Sequence, residues 1–152
     1  MPKYVVDTNL YIRATRGDES SQALETFFLG FTPEVYLHSV VALEILAGAT
    51  NPDLEERTQA RFIRPFERRD RVLTPSHGAW KRAAACLAQL VRERKVSSDH
   101  GIKKSLVNDC LIAASARDYG FVLVTDNGRD FQLISGILPI EFVPPWPAPE
   151  TT

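Results

Sequence analysis

Apolar positions along the chain recur with two periods, and the alternation predicts strands followed by helices. Residues 4–6 are a short aromatic and β-branched run; Asp7-Thr8-Asn9 supply capping residues, and Leu10, Tyr11 and Ile12 begin a helix behind them. Over residues 22–31, Ala23, Leu24, Phe27, Phe28 and Phe31 fall at helical spacing, Pro33 stops the helix, and Val35 to Leu37 read as the next strand. Ser39 is placed to cap a third helix over residues 40–49, which ends at Gly48 and the turn Asn51-Pro52. An arginine-rich helix bent at Pro65 is predicted for residues 54–66, and a short buried strand for 72–74. Pro75-Ser76 open a long helix to about Arg94; after the polar stretch 95–101, another runs over 102–119 and is closed by Gly120. The period then changes. Phe121-Val122-Leu123-Val124 are four consecutive apolar residues, as in a strand covered on both faces, and a short helix around 131–134 precedes a last strand over 137–143.

Strands separated by helices argue for an α/β, doubly wound fold built on a parallel sheet. No repeat and no second composition class breaks the chain, so one domain over residues 1–143 is expected, with the Pro-rich segment 144–152 as an extended arm. At 152 residues, 44% hydrophobic and 24% charged, the composition is that of a globular domain and argues against wholesale disorder. No apolar run approaches the roughly 18 residues of a membrane span, and the N-terminus carries no signal-peptide pattern, so a cytoplasmic protein without membrane association is expected. Cys86 and Cys110, with His38, His77 and His100, show no metal-ligand spacing, and the cysteines read as buried free thiols. The net charge of −1 gives no overall argument for a nucleic-acid partner.

Acidic residues in apolar surroundings change the picture. In open parallel sheets, ligands bind beyond the carboxyl ends of the strands. Asp7 follows the first strand, and Asp126 and Asn127 follow the 121–124 strand, so two chain-distant polar clusters point to one edge. Asp7 and Thr8 also suit a plain helix cap. Glu44 has Val40, Val41, Ala47 and Gly48 three and four positions away, and Asp109 has Leu106, Ile112 and Ala113. An ionised carboxylate in such a stripe needs a cation, donors or a raised pKa; a partner arginine for Glu44, or the helix dipole for Asp109, is the simpler reading of each alone. Taken together, several carboxylates at one crevice call for a hard cation, Mg²⁺ or Mn²⁺, and for metal-assisted phosphodiester hydrolysis, with no Ser-His-Asp triad required.

Four segments carry a family resemblance: Val5-Val6-Asp7-Thr8-Asn9, the Ser39 to Gly48 stretch around Glu44, Asn108-Asp109 with the apolar run behind it, and Thr125-Asp126-Asn127-Gly128-Arg129-Asp130-Phe131. In order and separation they resemble the acidic motifs of the PIN domain over residues 4–143, and at this length the VapC toxins of type II toxin-antitoxin modules. The resemblance implies a three-layer α/β/α fold with a central, mainly parallel sheet of about five strands. It also implies an Mg²⁺-dependent endoribonuclease (Mn²⁺ an alternative) acting as a toxin and neutralised by a VapB-like antitoxin. Asp7, Glu44 and Asp109 match the first three acidic ligands, and Thr8 and Thr125 the hydroxyl residues that orient them. At the fourth position Asn127 stands where the family usually has aspartate. Its amide oxygen is a weaker ligand for a hard cation, and Asp130 can restore the charge unless it is only a helix cap, with Asp126 ranked behind both. A homodimer is also implied. A non-catalytic PIN-like domain that binds RNA or protein is the competing reading.

For RNA contacts, Arg57, Arg61, Arg64 and Arg68 share one helix face, as a phosphate track or as a solvated face paired with Glu55, Glu56 and Glu67. Lys103, Lys104 and Arg129 flank the acidic positions and are the favoured phosphate contacts. Tyr11, Trp80 and Trp146 could stack on bases or serve as core. Phe27, Phe28, Phe31 and Leu46 are candidates for the antitoxin groove, from which a basic side chain could reach the carboxylates.

Overall fold

The apolar run at 121–124 lies near the middle of a five-stranded sheet, and its position explains its composition. In the computed structural model, which describes residues 2–148, β1 (Lys3–Val6), β2 (Val35–His38), β3 (Val72–Leu73), β4 (Phe121–Val124) and β5 (Glu141–Val143) are all parallel, in the order β3-β2-β1-β4-β5. All four residues of β4 are buried, as expected of a parallel strand covered on both faces.

The helices are α1 (Thr8–Arg16), α2 (Asp18–Phe31), α3 (Ser39–Ala47), α4 (Pro52–Thr58), α5 (Arg64–Arg68), α6 (His77–Arg92), α7 (Lys104–Tyr119) and α8 (Gly128–Ser135). Right-handed crossovers put α1–α5 on one face and α6–α8 on the other, and the helix contacts divide in the same way: α1 with α2 and α3, α7 with α6 and α8. The chain leaves β1 toward β2 and β3, then returns to place β4 on the opposite side of β1. The edge beyond the carboxyl ends of β1 and β4 is therefore the topological switch point, where α3 and α7 also meet.

Local chemistry accounts for most boundaries. Ser76 Oγ accepts from the Ala79 N–H (3.1 Å) and Asn51 Oδ1 from the Leu54 N–H (2.8 Å), capping α6 and α4. Gly120, at φ 72°, turns α7 into β4 through the left-handed conformation that glycine adopts without strain. Three expectations are corrected. The cap of α3 is His38, not Ser39: its Nδ1 accepts from the Val40 N–H at 3.0 Å. The predicted 54–66 helix is three pieces, with a π-helical segment Gln59–Ile63 between α4 and α5. Pro65 has no N–H to continue the α ladder, and the chain widens just before it. The last strand begins at Glu141, residues 137–140 being a connection.

The core runs from Tyr4, Phe27 and Phe31 through Val5, Leu37 and Leu123 to Phe131 and Ile134. Trp146, in the segment expected to be an arm, packs on it with its ring 5.2 Å from that of Phe27; residues 149–152 of that segment lie outside the described residues. Cys86 and Cys110 are buried free thiols. Among the described residues no helix is long and apolar enough to cross a membrane.

Candidate active site

Asp7 occupies the switch point because β1 ends there. Its N–H still bonds to the Val124 carbonyl at 2.9 Å, while its side chain turns to the start of α1, where Oδ1 accepts from the Thr8 N–H at 2.8 Å. That is a cap, and it uses only one carboxylate oxygen. The other, Oδ2, accepts from Thr125 Oγ1 at 2.7 Å, and Thr125 Oγ1 accepts in turn from the Asn127 N–H at 2.9 Å. On the other side, Thr8 Oγ1 donates to Glu44 Oε1 at 2.9 Å. Both threonines thus hold carboxylates of different elements.

Glu44 reaches this edge from α3. Its neighbours Val40 and Val41 are buried, but Ala47 and Gly48 are exposed, so Glu44 is half-buried beside an opening. Burial raises its pKa, as does the Asp7 charge, against the Thr8 hydroxyl and the Asn108 side chain, which bond to it and lower it. Asp109 comes from α7 and is buried. Its carboxyl is pushed up to about 8, first by burial and then by Asp7, Asp130 and Glu44. Asp7 is also raised, mainly by burial, although Thr125 and Thr8 hold it down. Four acidic residues from α7, α8, α3 and the end of β1 therefore face one another. Among the described residues, none of the four has a lysine, arginine or histidine within ion-pair distance.

The fourth motif is sorted by its contacts. Asp126 is ion-paired with Arg13 of α1. Asn127 stands at the start of α8 without capping it, and its Nδ2 donates to Asp130 Oδ2 at 3.1 Å. Asp130 lies in the first turn of α8 rather than at its cap position and faces Asp109. No three carboxylate, imidazole or thiol groups among the described residues close tightly enough to hold a metal ion as they stand. The donor set still suits a hard cation: it is all oxygen, it is partly desolvated, and burial beside three other acids raises Asp109 to about 8.

The cationic and aromatic candidates separate by position. Lys103, at the start of α7, lines a cleft of about 480 Å³ that Asp130 also lines, and Lys104 follows it on the exposed surface. Arg129 lines a different depression, with Glu93, Lys95 and Gln132. In the arginine stripe, Arg57 pairs with Asp53, Arg61 with Glu25, and Arg64 with Glu56, as in a solvated face, while Arg68 is in no ion pair among the described residues. Tyr11 is fully buried against Phe28 and Phe62, whereas Trp80 is exposed. The expected antitoxin groove is corrected as well. Phe27 and Phe31 are buried core, Phe28 packs between Tyr11 and Phe66, and Leu46 is half-buried against the core; the large apolar side chains left open on α2 and α3 are Leu29 and Leu43, 84% and 61% exposed.

Three contacts were not anticipated. Asn108 against Glu44 had a signal in its place beside Asp109. Arg13 on Asp126 had none, because arginine on a helix face is commonplace. His38 was set aside for want of ligand spacing, yet it caps the helix that carries Glu44, with its Nε2 buried and unpartnered and its pKa lowered to about 4 by burial.

A family model for the PIN domain matches residues 4–137. A relative, the tRNA(fMet)-specific endonuclease VapC of Shigella flexneri, is 28% identical over 137 residues, covering 90% of this chain and 96% of that protein. Among solved structures, DNA-bound VapBC from Salmonella typhimurium superposes with a TM-score of 0.69 at 25% identity, covering 95% of this chain and 98% of the other. A toxin-antitoxin complex from Klebsiella pneumoniae gives 0.63 at 25% identity over 96% and 100%.

Proposed function

The chain belongs to the PIN-domain family, and from that premise we propose that it is a metal-dependent endoribonuclease acting as the toxin of a toxin-antitoxin pair. One observation carries the reading: Asp7, Glu44, Asp109 and Asp130, from four separate elements, converge without a cationic partner, and burial together with the other three acids pushes Asp109 up to about 8. Active sites are where such shifts concentrate.

Asp7, Glu44 and Asp109 would hold Mg²⁺, or Mn²⁺ in its place, with Asp130 completing the charge and Asn127 orienting Asp130 through the Nδ2 bond. When bound, the cation supplies neutralisation of these carboxylates and Lewis acidity toward water and a phosphodiester. The chain's own residues do the positioning. Thr125 and the Thr8 N–H fix the two oxygens of Asp7, and the Thr8 hydroxyl and Asn108 fix Glu44. Asp109 must release its proton before it can serve as a ligand, so function is expected to strengthen as pH rises toward 8.

The similarity to VapBC assemblies supports a VapB-like antitoxin as partner. On α2 and α3, Leu29 and Leu43 are exposed apolar contacts available to it, and a basic side chain from the partner would supply the counter-charge that the carboxylates lack. A homodimer and a cytoplasmic location complete the reading; its two unpaired cysteines agree with a reducing compartment. The test is cleavage of an RNA panel, transfer RNAs included, in millimolar Mg²⁺ with an EDTA control. Cleavage that Asp7→Asn, Glu44→Gln and Asp109→Asn each abolish supports the proposal, and cleavage that persists in EDTA or in all three variants overturns it.

A further inference from the structure

Arg13, Arg57, Arg61, Arg64 and Arg82 are ion-paired, and the other cations are not in ion pairs among the described residues. The arginines of the stripe at residues 57–64 are thus matched by carboxylates. From Arg92 to Lys104 the sequence has five lysines and arginines against two acids, Glu93 and Asp99, on a protein whose net charge is −1. Among the described residues none of these five, Arg92, Arg94, Lys95, Lys103 and Lys104, is in an ion pair or a side-chain hydrogen bond. A local charge of +3, unpaired and exposed, is the complement of a phosphodiester chain rather than part of a folding network.

The same connection between α6 and α7 walls the cleft of about 480 Å³, within the range of about 300–1,000 Å³ typical of small-molecule sites. Its sides are apolar, formed by Val96, Leu106 and Leu133, with Ile102 left 38% exposed at the rim. His100 and Ser105 bring polar atoms to it. Gly101, at φ 82°, bends the chain between His100 and Ile102 in a conformation that a side chain would disfavour. Asp130 lines it and also interacts with Asp109, so the cleft shares one carboxylate with the acidic centre. Aliphatic walls, the His100 ring, a few hydrogen-bonding groups and the Lys103 cation suit an unpaired base and its phosphate.

Resting on the nuclease reading, we propose that this cleft seats one unstacked base of a single-stranded RNA next to the bond that is cut, with the cations of residues 92–104 carrying the flanking phosphates. A base held in a duplex cannot enter the cleft, so a duplex serves as the control for its occupancy. Ile102 and His100 bear on the base, Ser105 lies at its edge, and Lys103 on the phosphate between the base and the carboxylates.

The experiment measures binding apart from cleavage. Full-length Asp109→Asn protein, in EDTA, is titrated by fluorescence anisotropy with a labelled 12-nucleotide single-stranded RNA and with the same strand in a duplex. The expected result is at least tenfold preference for the single strand. Ser105→Trp, which fills the cleft from an exposed position, should weaken the single-strand affinity at least tenfold, and Ile102→Ala should weaken it severalfold. Both should melt like the parent. Lys103→Ala should reduce the slope of log affinity against log salt by about 0.7, one phosphate's share. If Ser105→Trp and Ile102→Ala leave RNA affinity unchanged, the cleft is not a base site, even if the wild-type protein cleaves RNA. If they instead abolish binding of a co-expressed VapB-like partner while RNA binding stays intact, the cleft takes a protein segment and the proposal fails. If the cleft variants lose RNA binding but the wild type cuts nothing, the base site stands and the nuclease reading falls.

Discussion

Replacing Asp109 by asparagine should make the metal-free protein more stable, by an amount that depends on pH in a calculable way. The carboxyl is raised from an ordinary 3.8 to about 8 in the folded chain. Between those values the unfolded chain has lost the proton and the folded chain still carries it. The folded state therefore binds more protons, and stability falls as pH rises, by about 1.4 kcal/mol per unit. At pH 7 the distance from 3.8 is a little over three units, so Asp109 costs about 4 kcal/mol relative to acid conditions. The asparagine side chain of the variant cannot titrate and escapes the whole term at nearly constant shape. For a chain of this size, about 4 kcal/mol corresponds to an unfolding midpoint higher by roughly 10 °C. The assay is thermal melting of both proteins in EDTA from pH 4 to pH 8. The two should melt alike near pH 4 and diverge steadily above it, and millimolar Mg²⁺ should raise the wild-type midpoint while leaving that of Asp109→Asn in place. Parallel curves across the pH range, or a variant less stable at pH 7, would refute the view that Asp109 is buried beside other acids without a counter-charge.

His38 acts in the opposite sense. Its pKa is lowered from 6.5 to about 4, so it contributes stability that is full above 6.5 and is lost as pH falls toward 4, about 3 kcal/mol in all. In the Asp109→Asn background this should appear as a melting curve that drops below pH 6.5, and His38→Asn should flatten it; an unchanged slope would mean that His38 is not the group responsible. Asn127→Asp should tighten Mn²⁺ binding in calorimetric titration. Asp130→Asn should weaken it with little loss of stability, because Asp130 is not a cap, and identical titrations for both variants would remove this segment from the metal site. Phe27→Ala should lower stability by about 3–5 kcal/mol as a core truncation, whereas Leu43→Ala should leave the melt within about 0.5 kcal/mol and weaken antitoxin binding in a pull-down titration; equal effects on both readouts would place Leu43 outside the interface.

Much of this molecule is decided by short-range pattern. Residues 4–6 and 121–124 are strands because their apolar composition suits a covered parallel sheet. Gly120 ends α7 because of its backbone freedom, and Asp7 falls at the carboxyl end of β1 because the strand stops there. Glu44 and Asp109 were legible as anomalies, since a carboxylate among apolar neighbours at helical spacing is conspicuous in any sequence. Relations between distant residues were not legible. Whether an arginine is free or neutralised depends on which acid the fold brings beside it, and only the tertiary structure pairs Arg61 with Glu25 while leaving Lys103 and Lys104 open. Phe27 and Phe28 are adjacent and equally apolar, yet Phe27 is core beneath Tyr4 and Trp146 while Phe28 is only half-buried against Tyr11 and Phe66. Asp126, Asn127 and Asp130 compete on paper for one role; Arg13, reaching across from α1, takes the first, and the turn of α8 brings the third to face Asp109. Periodicity encodes which way a side chain points from its own element, but what it meets there is set by the packing of the others.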